Sequence, residues 1–181
     1  NKVFILNNIN KYIPSVEKNI PYLDIHVLNS EKINHYENNI SLSKDNPLYN
    51  DYLRIYIAYF EGGLVLDGKI EIKDSIKNLL DNEIFFGFSQ ENVISTNITW
   101  SKKEKNQLLK KVLDEIEVSK NKTITQVFSK VLKKDFSKIY NSLAVVNKEV
   151  YIYPYDYFYP LDYEKHGKNI SENTKAIFHK D

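Results

Sequence analysis

One stretch of the chain, residues 50–72 with the sequence NDYLRIYIAYFEGGLVLDGKIEI, places the tightest limits on the fold. Its apolar residues recur at intervals of three and four from Tyr52 and form a stripe along one side of the predicted helix. Further apolar residues widen this stripe until the helix is apolar on nearly every side, which is typical of a buried helix. Gly62 and Gly63 end that helix, because glycine accepts the left-handed backbone conformation without a Cβ clash. A short apolar run then leads directly to Asp67. The stretch therefore predicts a buried helix, a tight reversal and one strand of an α/β sheet.

Asp67 follows the predicted strand immediately, and two more charged residues lie on the helix before it. Ligands of α/β proteins bind beyond the carboxyl ends of strands, so an acid at this position is a candidate active-site residue. Asp51 and Arg54 are three residues apart and share a helix face, where they can reach one ligand together or pair with each other. Arg54 is the only arginine beside 24 lysines. Its planar guanidinium can bind a ligand in a bidentate manner, which lysine cannot do, or can pair with a structural acid.

The rest of the chain alternates between short strand-like and helix-like segments, as in an α/β domain. Two helices are predicted to begin at capping boxes, Ser101 with Glu104 and Thr123 with Gln126. An aromatic segment at 151–160, YIYPYDYFYP, either packs over a sheet end or lines a site for sugars or bases. The other predicted strands are 3–6, 23–28, 69–72, 83–88, 143–146 and 150–153. The other predicted helices are 15–20, 31–39 and 76–80. Residues 93–100 are predicted to be irregular or extended.

Composition limits the classes of function. The chain has 181 residues, 42% of them hydrophobic, which is enough for one compact domain. A net charge of +1 with interspersed signs argues against nucleic acid as a partner. Without cysteine, any metal must be bound by oxygen or imidazole. No apolar run is long enough to span a bilayer, so we expect a cytoplasmic protein for which peripheral membrane association stays open. The absence of methionine indicates either an excerpt of a longer chain or residues lost from the sequence.

Common motifs for dinucleotides, nucleoside triphosphates, serine hydrolysis and zinc proteases are absent. Four ordered segments instead resemble the DXD-containing glycosyltransferase family 32, which includes capsular polysaccharide transferases and yeast initiating mannosyltransferases. The matching segments are Asn50, Asp51 and Arg54 against S-D-x-x-R, residues 62–69 against the G-G strand that ends in D-x-D, NEIFFGF at 82–88, and the aromatic segment 151–160. Residues 176–179 resemble the beginning of the family's histidine-containing tail. The resemblance is strongest over 47–160.

The resemblance implies a single-domain α/β protein of the GT-A type, with a mixed sheet flanked by helices. It also implies transfer of a hexose from a nucleoside-diphosphate sugar to a glycan acceptor, in the synthesis of a bacterial surface polysaccharide. By the family pattern, donor sugar and nucleotide are bound by Asn50, Asp51, Arg54, Gly63 and Asp67. Asp67 and Lys69 occupy the catalytic positions, and Asp67 and His179 are the candidate ligands of Mn²⁺ or Mg²⁺.

Lys69 departs from the family pattern, because the second acid of D-x-D normally binds the metal together with the diphosphate. The Lys69 ammonium can itself meet the diphosphate and replace the metal. Alternatively, the protein has lost turnover and only binds nucleotide sugars or glycans. In a third interpretation Glu71 supplies the missing carboxylate, although two further strand residues displace it by roughly 6.5 Å. A different class of protein stays open as well: a binding module that recognises glycans through the aromatic residues of 151–159.

Overall fold

The computed structural model describes residues 1–6, 10–90, 92–119, 121–139, 141–162, 167–168 and 170–180. In these residues eleven strands form one seven-stranded sheet and two two-stranded ribbons. The strands are β1 (Lys2–Leu6), β2 (Asp24–Leu28), β3 (Gly63–Asp67), β4 (Ile70–Ile72), β5 (Ile84–Gln90), β6 (Val93–Ser101), β7 (Ala144–Val146), β8 (Val150–Tyr153), β9 (Leu161–Asp162), β10 (Gly167–Lys168) and β11 (Ala176–Phe178).

The large sheet is mixed, with the strand order β2-β1-β3-β6-β5-β8-β7. β1 is parallel to both β2 and β3, and β5 is parallel to β8. β6 lies between β3 and β5 and is antiparallel to both. Strands β1, β3, β5 and β8 therefore run in the same direction, and their carboxyl ends meet at one side of the sheet. We call this side the carboxyl edge. The register pairs Leu6 with Asp67 there.

Helices cover both faces of the sheet. They are α1 (Ile13–Asn19), α2 (Ser30–Glu37), α3 (Tyr49–Glu61), α4 (Gln107–Val118), α5 (Ile124–Leu132) and the short α6 (Tyr155–Phe158). One hydrophobic core lies between the sheet and helices α2 to α5, and a second lies on the opposite face with α1, α6, β4 and β11. Because side chains alternate along a strand, Val65 enters the first core while Leu64 and Leu66 enter the second. β3 is thus buried on both faces.

The junction between α3 and β3 positions the charged residues. Gly62 and Gly63 have φ angles of +63° and +88°. A Cβ on Gly63 would lie 2.5 Å from the backbone oxygen of Lys2, so β1 and β3 come together only around a glycine there. The chain reverses at this point, and α3 runs back along the sheet with its first turns near the carboxyl edge. Asp51 and Arg54 are thereby brought back towards Asp67.

Most of the predicted elements are confirmed, but one helix start is wrong. Ser101 is the buried last residue of β6, and its hydroxyl donates to the backbone oxygen of Lys103. α4 begins only after Asn106, whose side-chain oxygen accepts from the backbone N–H of Leu108. Pairing with β3 extends β6 as far as Ser101. Serine also commonly caps helices, which explains the wrong prediction. The second predicted capping box, Thr123 with Gln126, is present at the start of α5.

The segment predicted as irregular or extended, 93–100, belongs to the nine-residue strand β6. Three consecutive polar residues, Ser95 to Asn97, interrupt its apolar pattern and weaken the strand signal, and hydrogen bonding to a neighbour on each side forms the strand. Within the described residues, no helix is both long and apolar enough to cross a membrane.

Candidate functional site

Three charged side chains from the predicted motif meet at the carboxyl edge. Nη2 of Arg54 donates to Oδ2 of Asp67 at 2.8 Å, and Nη1 lies 3.9 Å from Oδ1 of Asp51. The exposed fractions of the side chains are 12% for Arg54, 8% for Asp67 and 23% for Asp51. The first turns of α3 supply Asp51 and Arg54, and the end of β3 supplies Asp67. The guanidinium therefore faces two carboxylates that the chain separates by 16 residues.

Thr96 of β6 completes this cluster. Its buried hydroxyl donates to Oδ1 of Asp51 at 2.5 Å and accepts from Nη1 of Arg54 at 3.5 Å. Burial raises the pKa of Asp51, although the hydrogen bond from Thr96 and the charge of Arg54 act to lower it. Nε of Arg54 is buried and has no hydrogen-bond partner among the described residues. The cluster thus combines two acids, one cation and a buried donor that is not satisfied within this part of the chain.

Tyr159 lies beside the same charges. It is 5% exposed, and its hydroxyl donates to Oγ of Ser95 at 2.9 Å. Burial raises the pKa of the Tyr159 hydroxyl, the positive charge of Arg54 lowers it and the negative charge of Asp67 raises it. The phenol is therefore a neutral hydrogen-bonding group at the border of the site.

Sequence reasoning did not assign Thr96, Ser95 or Tyr159 to the site. Antiparallel pairing of Leu66 with Ile98 brings the first half of β6 to the carboxyl edge, beyond the end of β3. Ser and Thr are frequent residues with no characteristic spacing here, so only the register of the sheet reveals them. Tyr159 belongs to the aromatic segment 151–160, which was predicted either to pack over a sheet end or to line a site. Nothing in that pattern distinguished Tyr159 from the other aromatic residues.

Lys69 lies in the turn between β3 and β4 and is half-buried. Its backbone N–H donates to Oδ1 of Asp67 at 3.0 Å, and its carbonyl accepts from the backbone N–H of His179 at 3.0 Å. The turn thereby fixes the second carboxylate oxygen of Asp67. The backbone of Lys69 is therefore adjacent to the cluster of Asp51, Arg54 and Asp67.

His179 follows β11, which pairs with β4, and this ribbon carries the histidine to the neighbourhood of Lys69. Nε2 of His179 is 2.9 Å from Oε2 of Glu71, and the imidazole stacks on Tyr12 with ring centroids 4.6 Å apart. Burial acts to raise the pKa of Glu71, but hydrogen bonds from Lys73 and His179 outweigh it and lower that pKa. Glu71 is therefore engaged by two basic side chains.

The residues predicted to bind Mn²⁺ or Mg²⁺ do not form a ready site by themselves. Asp67 is held by Arg54 and by the backbone of Lys69, while His179 faces Glu71. In the ranges that the structure describes, no three His, Asp or Glu side chains lie close enough together to hold an ion. A hard divalent cation prefers several oxygen ligands, and this arrangement offers one carboxylate already paired with a cation. Metal binding stays a prediction.

Two other predicted donor-binding residues lie apart from the cluster. Gly63 is the first residue of β3 and Asp67 the last, so about 13 Å of strand separates them. Asn50 is exposed in the first turn of α3. The close approach of β1 explains why Gly63 must be glycine. The donor-binding roles of both residues stay predictions.

The aromatic segment 151–160 contributes mainly to the second core. Phe158 is fully buried and stacks on Phe85 with ring centroids 5.9 Å apart, and Tyr153 meets Phe85 edge to face. Gly87 permits this packing, because a Cβ there would lie 2.6 Å from the Phe158 ring. Packing over the sheet is thus observed, and Tyr159 places its hydroxyl at the site border.

Comparison with known proteins identifies the fold. The chain is similar to a solved viral protein described as a glycosyltransferase involved in the glycosylation of the major capsid of PBCV-1, with a TM-score of 0.52. The similarity covers 98% of this chain and 93% of that chain, at 10% sequence identity. The mixed sheet flanked by helices is therefore the GT-A-like fold of glycosyltransferases. No protein-family model and no curated protein sequence matches the chain, so membership of family 32 stays a prediction.

Proposed function

We propose that the protein is a glycosyltransferase that moves a hexose from a nucleoside-diphosphate sugar to a glycan acceptor. One observation carries the proposal: Asp51, Arg54 and Asp67 form a largely buried cluster at the carboxyl edge of a GT-A-like sheet. Ligands of α/β proteins bind at this edge. The similar viral protein, described as a glycosyltransferase, supports the same reaction class.

The cluster suits the recognition of sugar hydroxyls. Asp51 and Asp67 present carboxylate oxygens that accept hydrogen bonds, and Arg54 presents a planar set of donors. Their mutual contacts fix the side chains before a ligand arrives, which lowers the entropic cost of binding. In the proposal Asp51 and Arg54 bind the donor sugar, and Asp67 contacts the sugar or the ribose.

The departing nucleoside diphosphate develops negative charge, which must be stabilised in the transition state. We assign this role to Lys69, whose backbone is anchored beside Asp67. An ammonium is a compact point charge suited to phosphate oxygens. The interpretation in which Glu71 supplies a metal ligand loses support, because Glu71 already binds His179 and Lys73. A divalent cation, where present, would supply additional charge neutralisation to the diphosphate.

The proposed partners are a nucleotide-sugar donor and a glycan acceptor, in the cytoplasm and in bacterial surface polysaccharide synthesis. A second candidate is a catalytically inactive protein of the same fold that binds nucleotide sugars. The observation in its favour is Lys69, which occupies the position of the second acid of D-x-D. Both candidates require a donor site at Asp51, Arg54 and Asp67.

A donor assay tests the proposal. The purified protein is incubated with UDP-, GDP-, ADP- and dTDP-hexoses, and release of the nucleotide is followed with Mn²⁺, with Mg²⁺ and with a chelator. We expect one donor to be hydrolysed or transferred, and Lys69→Ala to lower kcat more than donor affinity. Lys73→Ala is the matched control, because Lys73 is an exposed lysine on the neighbouring loop.

The outcomes separate the alternatives. Turnover that persists in the chelator supports Lys69 as the cation, whereas turnover that requires Mn²⁺ refutes metal independence. Donor binding without any turnover selects the inactive binding protein. If no nucleotide sugar binds, the donor site itself is refuted.

A further inference from the structure

The strand β6 is irregular beside the cluster of Asp51, Arg54 and Asp67. On β5 the paired residues Phe85 and Gly87 are two positions apart, whereas their partners on β6, Trp100 and Ser95, are five positions apart. β6 therefore holds three extra residues opposite β5, a β-bulge larger than the usual single residue. We call residues 96–99 the β6 bulge.

The β6 bulge changes which side chains of the strand face α3. Ile98 and Trp100 enter the second core, on the face away from α3. Strict alternation would send Thr96 to that face as well. Instead Thr96 contacts Asp51 of α3, and Ile94 enters the first core, which contains the apolar residues of α3. The extra residues thus turn the Thr96 hydroxyl towards the charged cluster.

Hydrogen bonds from several directions hold the bulge. The hydroxyl of Tyr159 donates to Oγ of Ser95 at 2.9 Å, and the backbone N–H of Asn97 donates to the same oxygen at 3.3 Å. Oγ1 of Thr99 donates to the backbone oxygen of Thr96 at 2.8 Å. Bulges beside sites serve to aim a side chain, and this one has a fixed conformation.

The hydroxyl of Thr96 acts on the cluster and not directly on a ligand. Thr96 is fully buried, and its single hydroxyl proton is donated to Oδ1 of Asp51 at 2.5 Å. The same oxygen accepts from Nη1 of Arg54 at 3.5 Å. Because Oδ1 of Asp51 is turned to Thr96, Oδ2 is the carboxylate oxygen that can accept from a sugar hydroxyl.

We propose that Thr96 is a positioning residue for the donor sugar: the β6 bulge presents its hydroxyl, which orients the carboxylate of Asp51 and keeps the guanidinium of Arg54 beside it. The effect on the donor rests on the proposed function, in which Asp51 and Arg54 bind the sugar. The orientation of Asp51 by Thr96 does not rest on it.

Two substitutions separate the hydroxyl from the shape of the side chain. Thr96→Val keeps the shape and removes the hydroxyl, whereas Thr96→Ser keeps the hydroxyl. The probes are the UDP-, GDP-, ADP- and dTDP-hexoses of the donor assay, titrated calorimetrically. We expect Thr96→Val to weaken binding of the hexose donor at least roughly ten-fold, the scale of one hydrogen bond to a charged group. Thr96→Ser should restore most of that affinity.

The free nucleoside diphosphate distinguishes positioning from general damage to the fold. Because Thr96 acts on the pair that binds the sugar, Thr96→Val should retain the parent affinity for the diphosphate without hexose. The proposal is overturned if valine and serine variants bind the donor alike, or if Thr96→Val weakens donor and free diphosphate equally. Melting temperatures verify folding, and Thr96→Cys, whose thiol is only a weak donor, replaces the valine variant if that variant does not fold.

A measurement without any donor tests the contact itself. Burial raises the pKa of Asp51, and the hydrogen bond from Thr96 acts to lower it. Carboxyl ¹³C NMR should therefore show a higher pKa for Asp51 in Thr96→Val than in the parent or in Thr96→Ser, with Asp51→Asn identifying the signal. An unchanged pKa would overturn the contact. If the pKa rises but the parent binds no nucleotide sugar, the contact is supported and the proposed function is refuted.

Discussion

At the scale of single residues, Arg54 joins the two elements that form the site. Its guanidinium contacts Asp67 at the end of β3 and Thr96 on β6, and it faces Asp51 on its own helix. A buried charged pair contributes modestly to stability, because desolvation offsets the attraction. The arrangement therefore has more consequence for ligand geometry than for the free energy of unfolding.

We expect Arg54→Lys to lower affinity for the proposed donor at least roughly ten-fold, because lysine retains the charge but lacks the planar set of donors. The melting temperature should change little, since an ammonium can still pair with Asp67. Calorimetric titration and thermal melting measure the two effects. Lys102→Arg, a 43% exposed site, serves as the control for the exchange of cation type. Unchanged donor affinity would exclude a ligand role for Arg54.

Asp51 gives a prediction with a definite sign in pH. Burial raises its pKa above the ordinary value of 3.8. An acid whose folded pKa exceeds its unfolded pKa binds protons more tightly in the folded state. Its contribution to stability is favourable below pH 3.8 and is lost as pH rises through the folded pKa.

Asp51→Asn should therefore be at least as stable as the parent protein at neutral pH and should show a flatter decline in stability above pH 3.8. It should also weaken donor binding, because an amide presents one acceptor oxygen in place of two. Urea unfolding at a series of pH values measures the first effect, with the exposed Asp45→Asn as control. A clear loss of stability at neutral pH would contradict the prediction.

At the scale of elements, the carboxyl edge depends on how β5 and β6 meet the aromatic segment. The pairing of β5 with β6 is irregular between Phe85 and Gly87. Gly87 then accepts the rings of Phe158 and Tyr159 directly against the strand, and Tyr159 reaches Ser95. One glycine thus permits the contact that brings a phenol to the site.

Gly87→Ala should lower the free energy of unfolding by about 1–3 kcal/mol, the usual cost of overpacking. The added Cβ would lie 2.6 Å from the Phe158 ring and 3.1 Å from the Tyr159 ring, and neither ring can deform. Urea unfolding measures the loss, and Ser89→Ala, two residues along the same strand, is the control. Equal stability of the two variants would show that the aromatic segment moves without cost.

At the scale of the whole molecule, the sheet is enclosed by two cores, and the cluster of Asp51, Arg54 and Asp67 lies where elements from both faces meet. α3 comes from one face, and the ribbon of β4 and β11 comes from the other. A ligand that bridges these elements stabilises the folded state as a whole, since it binds the folded chain and not the unfolded one.

We expect the proposed donor at about 100 times its Kd to stabilise the protein by about 2.7 kcal/mol. For a chain of this length each kcal/mol raises Tm by about 2–4 °C, so the shift should be about 5–10 °C. Differential scanning calorimetry with UDP- and GDP-hexoses measures it, and free hexose at equal concentration is the control. A shift that persists in Arg54→Lys would place the nucleotide sugar elsewhere.

Local pattern was sufficient to predict much of this protein. The buried helix, the Gly-Gly reversal and the strand that ends at Asp67 follow from periodicity and from the conformational freedom of glycine, which act within a few residues. The strands β5 and β8 were predicted for the same reason. The predicted start of α4 was wrong because Ser101 belongs to β6. A local capping motif contains no information about strand pairing.

The sequence by itself predicted that Asp51 and Arg54 share a helix face and that Asp67 ends a strand, because helix spacing and strand ends are local properties. The resemblance to family 32 then grouped the three residues in one candidate site. Only the tertiary structure decided that Arg54 pairs with Asp67, that Thr96 holds Asp51, that Tyr159 borders the cluster, and that His179 faces Glu71. Those contacts depend on sheet order and register, which arise from burial summed over the whole chain.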